Sequence, residues 1–107
     1  MENWEKMEKV NHPSHYNKPG RKECLVEMEE KYGAEVTAVF CLTNAYKYIY
    51  RAGDKEDNPA SQDINKAKFY LAYTEGLIAK YGFLFINEQQ IEKTELYLDV
   101  KRLLEDF

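Results

Sequence analysis

The stretch Phe40–Lys55, FCLTNAYKYIYRAGDK, decides the predicted fold and carries the predicted site. Asn44, Lys47, Tyr48 and Arg51 recur at intervals of three and four residues, so they share one stripe of a helix. A glycine two residues beyond the last of them is a good place for that helix to stop. Two long cations with an amide and a phenol between them predict an anion-binding surface.

Lys47 and Arg51 lie four residues apart, and like charges at this spacing on a helix repel each other by a few tenths of a kcal/mol. An acidic side chain or an anionic ligand between them would remove that repulsion. The alternative is that both are surface cations whose aliphatic stems lie along apolar neighbours.

The 107 residues are enough for one domain with a real core, and we assign residues 1–107 to it. Frequent Lys, Glu, Ala and Leu, with only three prolines, favour helices. We therefore predict an all-α fold, a small bundle of about four helices after an ordered N-terminal loop. The predicted helices are about Lys22–Tyr32, Ala34–Ala52, Ala60–Tyr81 (after Pro59, with Ser61 as candidate N-cap) and Asn87–Leu104; Phe83–Ile86 is alternatively a short strand.

The second and third helices are separated by a short connection, which predicts an antiparallel hairpin. The third helix has an apolar stripe that should face the core. Its predicted members are Ile64, Ala67, Leu71, Thr74 and Ile78, broadened by Phe69, Tyr70 and Tyr73.

The loop Val10–Gly20 places polar and aromatic side chains between two prolines, which restrict the backbone and lower the entropy lost on ordering it. Histidine can donate to phosphate, and tyrosine can stack on a base. The candidate ligand contacts here are His12, Ser14, His15 and Tyr16. The alternative is that a histidine caps a helix and the tyrosine covers the core.

Cys24 and Cys41 both fall in apolar-periodic segments, where a free thiol is usually a small core residue in a reducing compartment. A zinc site would need both cysteines with His12 and His15. Their intervals of 3, 9 and 17 residues match no compact zinc module, so we predict no metal site.

The net charge of −4 argues against nonspecific binding to duplex nucleic acid, which needs a basic face. No run approaches the ~18 apolar residues of a membrane span, and the segment Met1–Val10 is charged throughout, unlike a signal peptide. We expect a cytoplasmic protein with no membrane partner.

Three segments together resemble the SaV-like phage family of unknown function, which includes a kinase of deoxynucleoside monophosphates. The resemblance covers about residues 10–80 and leaves 83–107 as a divergent C-terminal helix. The matching segments are NHPSHY at Asn11–Tyr16, GRKEC at Gly20–Cys24, and TNAYKYIYRAGDK at Thr43–Lys55 followed by DINKAKFYL at Asp63–Leu71. Three positions depart from the family pattern: Val26 replaces an aspartate, Thr43 a glycine and Tyr46 an aliphatic residue.

The resemblance implies a nucleotide site in which Lys47, Arg51 and Lys66 hold phosphate and Asn44 orients a base or phosphate. The N-terminal loop would close the pocket. Asp63 is the matched carboxylate placed to act as a base or as a magnesium ligand. ATP would be the phosphoryl donor of a kinase, and because GxxxxGK[ST] is missing, such a kinase is not of the P-loop type.

Three functions remain open from the sequence. The first is a nucleotide kinase in which Asp63 positions the acceptor, and the second is a noncatalytic sponge that sequesters a host signalling nucleotide. The third is an all-helical pyrophosphohydrolase with magnesium on the acidic pairs Glu27/Glu30 and Glu92/Glu95, although acids three apart are more often a solvated face. Nine tyrosines also predict aromatic contacts between subunits, and hence a homo-oligomer.

Overall fold

The computed structural model describes residues 23–53 and 59–107. Within these ranges the chain forms four α-helices, a two-stranded antiparallel sheet and one 3₁₀-helix, which confirms the all-α prediction. The helices are α1 (Cys24–Tyr32), α2 (Ala34–Tyr50), α3 (Ala60–Tyr81) and α4 (Glu95–Leu104); the strands are β1 (Phe85–Ile86) and β2 (Gln89–Gln90), followed by the 3₁₀-helix Ile91–Lys93. The predicted ordered loop Val10–Gly20 lies outside the described residues.

The first three helices end close to the predicted positions. Gly33 separates α1 from α2 by a single residue with φ of 103°, a conformation that side-chain-bearing residues rarely adopt. α2 ends at Tyr50, two residues before the predicted end, because Arg51 leaves the helical conformation at φ −96° and ψ 6°. α3 begins directly after Pro59, which takes the N-cap position predicted for Ser61.

The predicted fourth helix begins too early. Residues Asn87 and Glu88 have φ of 50° and 66°, so they form the two-residue turn of a β-hairpin in which Phe85 pairs with Gln90. Such turns need positive φ at both central residues, and asparagine tolerates it. The helix starts only at Glu95, where the hydroxyl of Thr94 caps it by accepting from the backbone N–H of Tyr97 at 3.2 Å.

α2 and α3 pack as the predicted antiparallel pair. Arg51 lies opposite Asp63 and Tyr48 opposite Tyr70, so the residue numbers fall along one helix as they rise along the other. The buried face of α3 differs in part from the predicted stripe. Ile64, Ala67, Tyr70 and Thr74 are buried as predicted, and Asp63, Lys66 and Leu77 are buried as well. The other predicted members, Phe69, Leu71, Tyr73 and Ile78, are only half-buried.

α4 is attached to α3 through Glu75. One oxygen of this carboxylate accepts from the Tyr97 hydroxyl at 2.9 Å and lies 3.2 Å from the Lys101 ammonium. Burial, and then the hydrogen bond to Glu75, raise the pKa of Tyr97 to about 12. None of the helices in the two described ranges combines the length and the apolar character needed to cross a bilayer.

α1 is attached to the end of α3 by Glu29, whose side chain is 7% exposed. Its Oε2 accepts a hydrogen bond from the Lys80 ammonium at 2.7 Å and another from the Tyr81 hydroxyl. These two hydrogen bonds, first that from Lys80 and then that from Tyr81, lower the pKa of Glu29 below its ordinary value of 4.5. The folded state therefore favours the ionised carboxylate more than the unfolded state does.

We expect Glu29→Gln to lower the free energy of unfolding at pH 7 by about 1–2 kcal/mol, because it removes a charged acceptor of two hydrogen bonds. A lowered pKa stabilises the fold above the unfolded value, and the contribution is lost as the pH falls through the folded value. The difference between wild type and variant should therefore shrink below about pH 4. Urea unfolding across pH tests this, with Glu27→Gln, in an exposed pair with Lys31, as the control. A difference that grows in acid would contradict it.

Candidate functional site: a cation cluster around Tyr48

The end of α2 and the beginning of α3 bring charged side chains together around one tyrosine. We call this set the Tyr48 cluster: Lys47, Tyr48 and Arg51 from the end of α2, with Asp63 and Lys66 from α3. The antiparallel packing of the two helices explains the meeting, because it sets the last turn of one against the first turns of the other. The cluster therefore depends on the antiparallel packing of α2 against α3.

Three cations surround the Tyr48 ring. The Lys47 ammonium lies 4.3 Å from the ring centroid, the Lys66 ammonium 5.1 Å and the Arg51 guanidinium carbon 5.2 Å. Each distance is within the range at which the electron-rich face of an aromatic ring attracts a cation. Because the ring is completely buried, this attraction is screened less than it would be in water.

Asp63 supplies the negative charge of the cluster. Its Oδ1 lies 3.7 Å from both the Arg51 Nε and the Lys66 Nζ, so one carboxylate oxygen serves two cations. Asp63 is completely buried and Lys66 is 1% exposed, whereas the Arg51 side chain is 21% exposed. Since an unpaired charge at such depth is strongly unfavourable, the ion pair is what allows Lys66 to remain in the core.

Aromatic side chains hold the Tyr48 ring in place. Tyr70 lies parallel to it, with an interplanar angle of 2° and centroids 6.2 Å apart. Tyr70 in turn meets Phe40 and Phe69 edge-on, at 6.1 Å and 5.4 Å. Such pairs add stability beyond their buried area. The cations are therefore arranged around a ring whose position is fixed by the core.

The structure brings together five of the predicted site residues, Lys47, Tyr48, Arg51, Asp63 and Lys66. Asn44 shares their helical stripe but is used differently: its amide donates to the backbone carbonyl of Phe40 at 2.8 Å, which is a bond within its own helix. The predicted contacts from His12, Ser14, His15 and Tyr16 lie outside the described residues. The surface-cation alternative fits only Lys47, because Arg51 is mostly covered.

Sequence reasoning missed the burial of Asp63 and Lys66 and the contact of Tyr70 with Tyr48. Asp63 and Lys66 lie at helical spacing from Tyr70 and Thr74, two residues of the predicted apolar stripe, so all four share one buried stripe. The charges at two of these positions concealed the stripe, since a buried Lys is rare unless it is paired. The buried stripe would be revealed by its pairing with the antiparallel helix, in which Asp63 lies opposite Arg51 and Tyr70 opposite Tyr48.

The donor set does not fit magnesium. Mg²⁺ takes six oxygen ligands and commonly one or two carboxylates, whereas Asp63 is enclosed by two cations. Residues 23–53 and 59–107 contain no group of three histidine, cysteine or acidic side chains able to hold a metal ion. The acidic pairs Glu27/Glu30 and Glu92/Glu95, which a pyrophosphohydrolase would use, do not form one there.

The cysteines differ from each other in their surroundings. Cys41 is buried as predicted, and burial raises the pKa of its thiol to about 12, against the thiolate that zinc requires. Cys24 is exposed, so its predicted core position is wrong. The histidines of the alternative zinc set lie outside the described residues.

The model of the DUF3310 family, described as a protein of unknown function, matches residues 10–72. The matched region contains all five residues of the Tyr48 cluster and ends before the hairpin and α4. No curated protein matches the chain, and no solved structure matches it either.

Proposed function

Since this chain belongs to the DUF3310 family of proteins of unknown function, we propose that it is a nucleotide-binding protein that holds phosphate at the Tyr48 cluster. The observation that carries the proposal is the convergence of Lys47, Arg51 and Lys66 around one buried ring. The cluster lies within the family match. The resemblance of residues 10–80 to the SaV-like phage family, which includes a nucleotide kinase, is the reason for proposing a nucleotide as the phosphate-bearing ligand.

The chemistry of the three cations suits a phosphate group. The planar guanidinium of Arg51 presents a fork of N–H donors that matches two phosphate oxygens, and an ammonium acts as a point charge. Lys47 is exposed and Arg51 partly so, so both are placed to meet a ligand from solvent. Lys66 is deeper, where it adds positive potential in a medium of low dielectric constant.

The reaction we propose first is phosphoryl transfer from ATP to a deoxynucleoside monophosphate, without a P-loop. In such a transfer the terminal phosphoryl leaves ATP as the acceptor oxygen attacks it, giving ADP and a nucleoside diphosphate. The cations of the cluster would stabilise the charge spread over the transferred phosphoryl. The sequence predicts a catalytic role for Asp63, but its complete burial between Arg51 and Lys66 favours a positioning role, in which it orients those cations, over one in abstracting a proton.

The second candidate is a noncatalytic sponge that sequesters a host signalling nucleotide. The observation that favours it is that Asp63 is buried and ion-paired, so the described residues of the cluster offer cations to a ligand and no exposed carboxylate. A cation cluster of this composition can bind phosphate whether or not the protein transfers a phosphoryl group. The choice between the two candidates is therefore a question of turnover.

Incubating the protein and magnesium with a mixed pool of nucleoside monophosphates, triphosphates and cyclic oligonucleotides separates the candidates. The pool is analysed by anion-exchange chromatography before and after the protein is heat-denatured. New nucleotide peaks establish the kinase and identify its reaction. A peak that disappears and returns intact on denaturation establishes the sponge, and an unchanged pool overturns the proposal.

We also propose a homo-oligomer in the host cytoplasm, with no duplex nucleic acid or membrane as partner. What supports an oligomer is a set of exposed apolar side chains on α1, on α2, at the end of α3 and at the beginning of the β-hairpin: Tyr32, Val36, Tyr81, Phe83 and Phe85. The hairpin and α2 meet here, since the backbone N–H of Phe85 donates to the Glu35 carboxylate at 2.7 Å. Light scattering at micromolar concentration should give more than the monomer mass, and a monomer would contradict it.

A further inference from the structure

A groove runs along the seam between α2 and α4. Two neighbouring cavities of about 350 and 330 Å³ lie along it, and Tyr46 lines both. The apolar part of the lining includes Ile49, Leu96 and Leu103. α2 and α4 run in the same direction here, because the first cavity joins Tyr46 to Leu96 and the second joins Ile49 to Leu103. We call this surface the α2–α4 groove.

The two walls of the groove differ in chemistry. The α2 wall presents phenol rings, with Tyr46 43% and Tyr50 79% exposed. The α4 side is acidic, because Glu95, Asp99 and Asp106 all line the cavities. Asp99 is bound to the Arg102 guanidinium at 2.8 Å, whereas no ion pair within the described residues involves Glu95 or Asp106. An apolar floor between aromatic and acidic walls is complementary to a ligand that is both apolar and positively charged.

We propose that the α2–α4 groove binds a basic amphipathic helix of another protein. Helices lay an apolar face into such grooves, and flanking lysine or arginine side chains would meet the acidic wall and the tyrosine rings. From Glu95 to Asp106 the wall spans twelve residues, about 16 Å for eleven steps of 1.5 Å, or about three helical turns. A contact of this length is small, so the complex is transient and its affinity depends on salt.

Two other occupants fit the groove less well. In a symmetric pair of copies the same patch meets itself, so the acidic side chains of both copies would share one interface whose lining contains no lysine or arginine to pair with them. A nucleotide or nucleic acid would meet carboxylates in place of cations. The groove therefore serves a partner distinct from the ligand of the Tyr48 cluster, which lies between α2 and α3.

The test uses a fluorescein-labelled helical peptide of about 14 residues, with leucines on one face and lysines elsewhere. A matched peptide has glutamate in place of each lysine. Fluorescence anisotropy is measured with the whole protein at 50 and 300 mM NaCl. We expect the lysine peptide to bind, more weakly at high salt, and the glutamate peptide not to bind. No binding of the lysine peptide, or equal binding of both, overturns the proposal.

Matched variants distinguish the groove from the general acidity of the chain. Glu95→Gln/Asp106→Asn removes two charges from the groove, and Glu27→Gln/Glu88→Gln removes two elsewhere. We expect about five-fold weaker binding for the first and less than two-fold for the second. Tyr50→Ser, at a largely exposed position, should weaken binding without loss of folding. Equal losses in the two double variants overturn the proposal, as does a light-scattering mass that falls in Tyr50→Ser, which would assign the groove to a second copy.

Discussion

Asp63→Asn is expected to lower the free energy of unfolding by about 3 kcal/mol, because breaking a buried ion pair leaves an uncompensated charge in the core. The charge left behind is that of Lys66, which is 1% exposed and lies 3.7 Å from the Asp63 carboxylate. Asparagine keeps the shape of the side chain, so the loss reports the charge and little else. Urea unfolding at pH 7 measures it.

Two further variants keep this prediction specific. Asp99→Asn removes the partner of Arg102 in an exposed pair, where we expect a change of less than about 1 kcal/mol. Lys66→Met added to Asp63→Asn removes the stranded charge and should recover part of the stability. If Asp63→Asn costs no more than Asp99→Asn, the carboxylate does not hold the cluster together.

Arg51→Ala is expected to weaken nucleotide binding by about 30-fold or more while lowering the free energy of unfolding by only about 1 kcal/mol. A hydrogen bond to a charged group contributes about 1.5–3 kcal/mol, and 1.4 kcal/mol corresponds to a factor of ten in affinity. The stability loss is smaller because the Arg51 side chain is partly exposed and Asp63 keeps Lys66 as a partner.

The control is Arg102→Ala, which removes an arginine side chain from an exposed position on α4. It should leave nucleotide affinity unchanged. Calorimetric titration gives the affinities, and urea unfolding gives the stabilities of the same preparations. An Arg51→Ala variant that loses as much folding free energy as binding free energy would make Arg51 a structural residue.

The positions of α1, α2 and α3 were predictable from sequence because glycine and proline mark their ends. Gly33 and Gly82 follow helices as positive-φ residues, and Pro59 stands where α3 begins. Before α4, the strand Phe85–Ile86 lies within the alternative strand predicted at Phe83–Ile86. The turn that follows it was not predictable, because Asn87 and Glu88 look equally suited to a helix until their positive φ is known. Thr94 was the local signal of the true helix start.

Only the part of the candidate site that lies on a single helix was predictable from sequence. Helical spacing groups Lys47, Tyr48 and Arg51, but it also groups Asn44, whose amide is bonded to its own helix backbone. Spacing within one helix carries no information about the neighbouring helix. The pairing of Asp63 with Arg51 therefore required the packing of α2 against α3. Burial of Lys66 likewise followed from that packing.

Equilibrium dialysis of the protein against the mixed nucleotide pool supplemented with the corresponding nucleosides, with Arg51→Ala dialysed in parallel, tests the central claim most directly. Binding at the Tyr48 cluster predicts that at least one nucleotide becomes concentrated on the wild-type side and that the corresponding nucleoside does not. The same nucleotide should remain evenly distributed with Arg51→Ala. If no nucleotide is concentrated, or if the variant concentrates it equally well, phosphate is not held by the Tyr48 cluster.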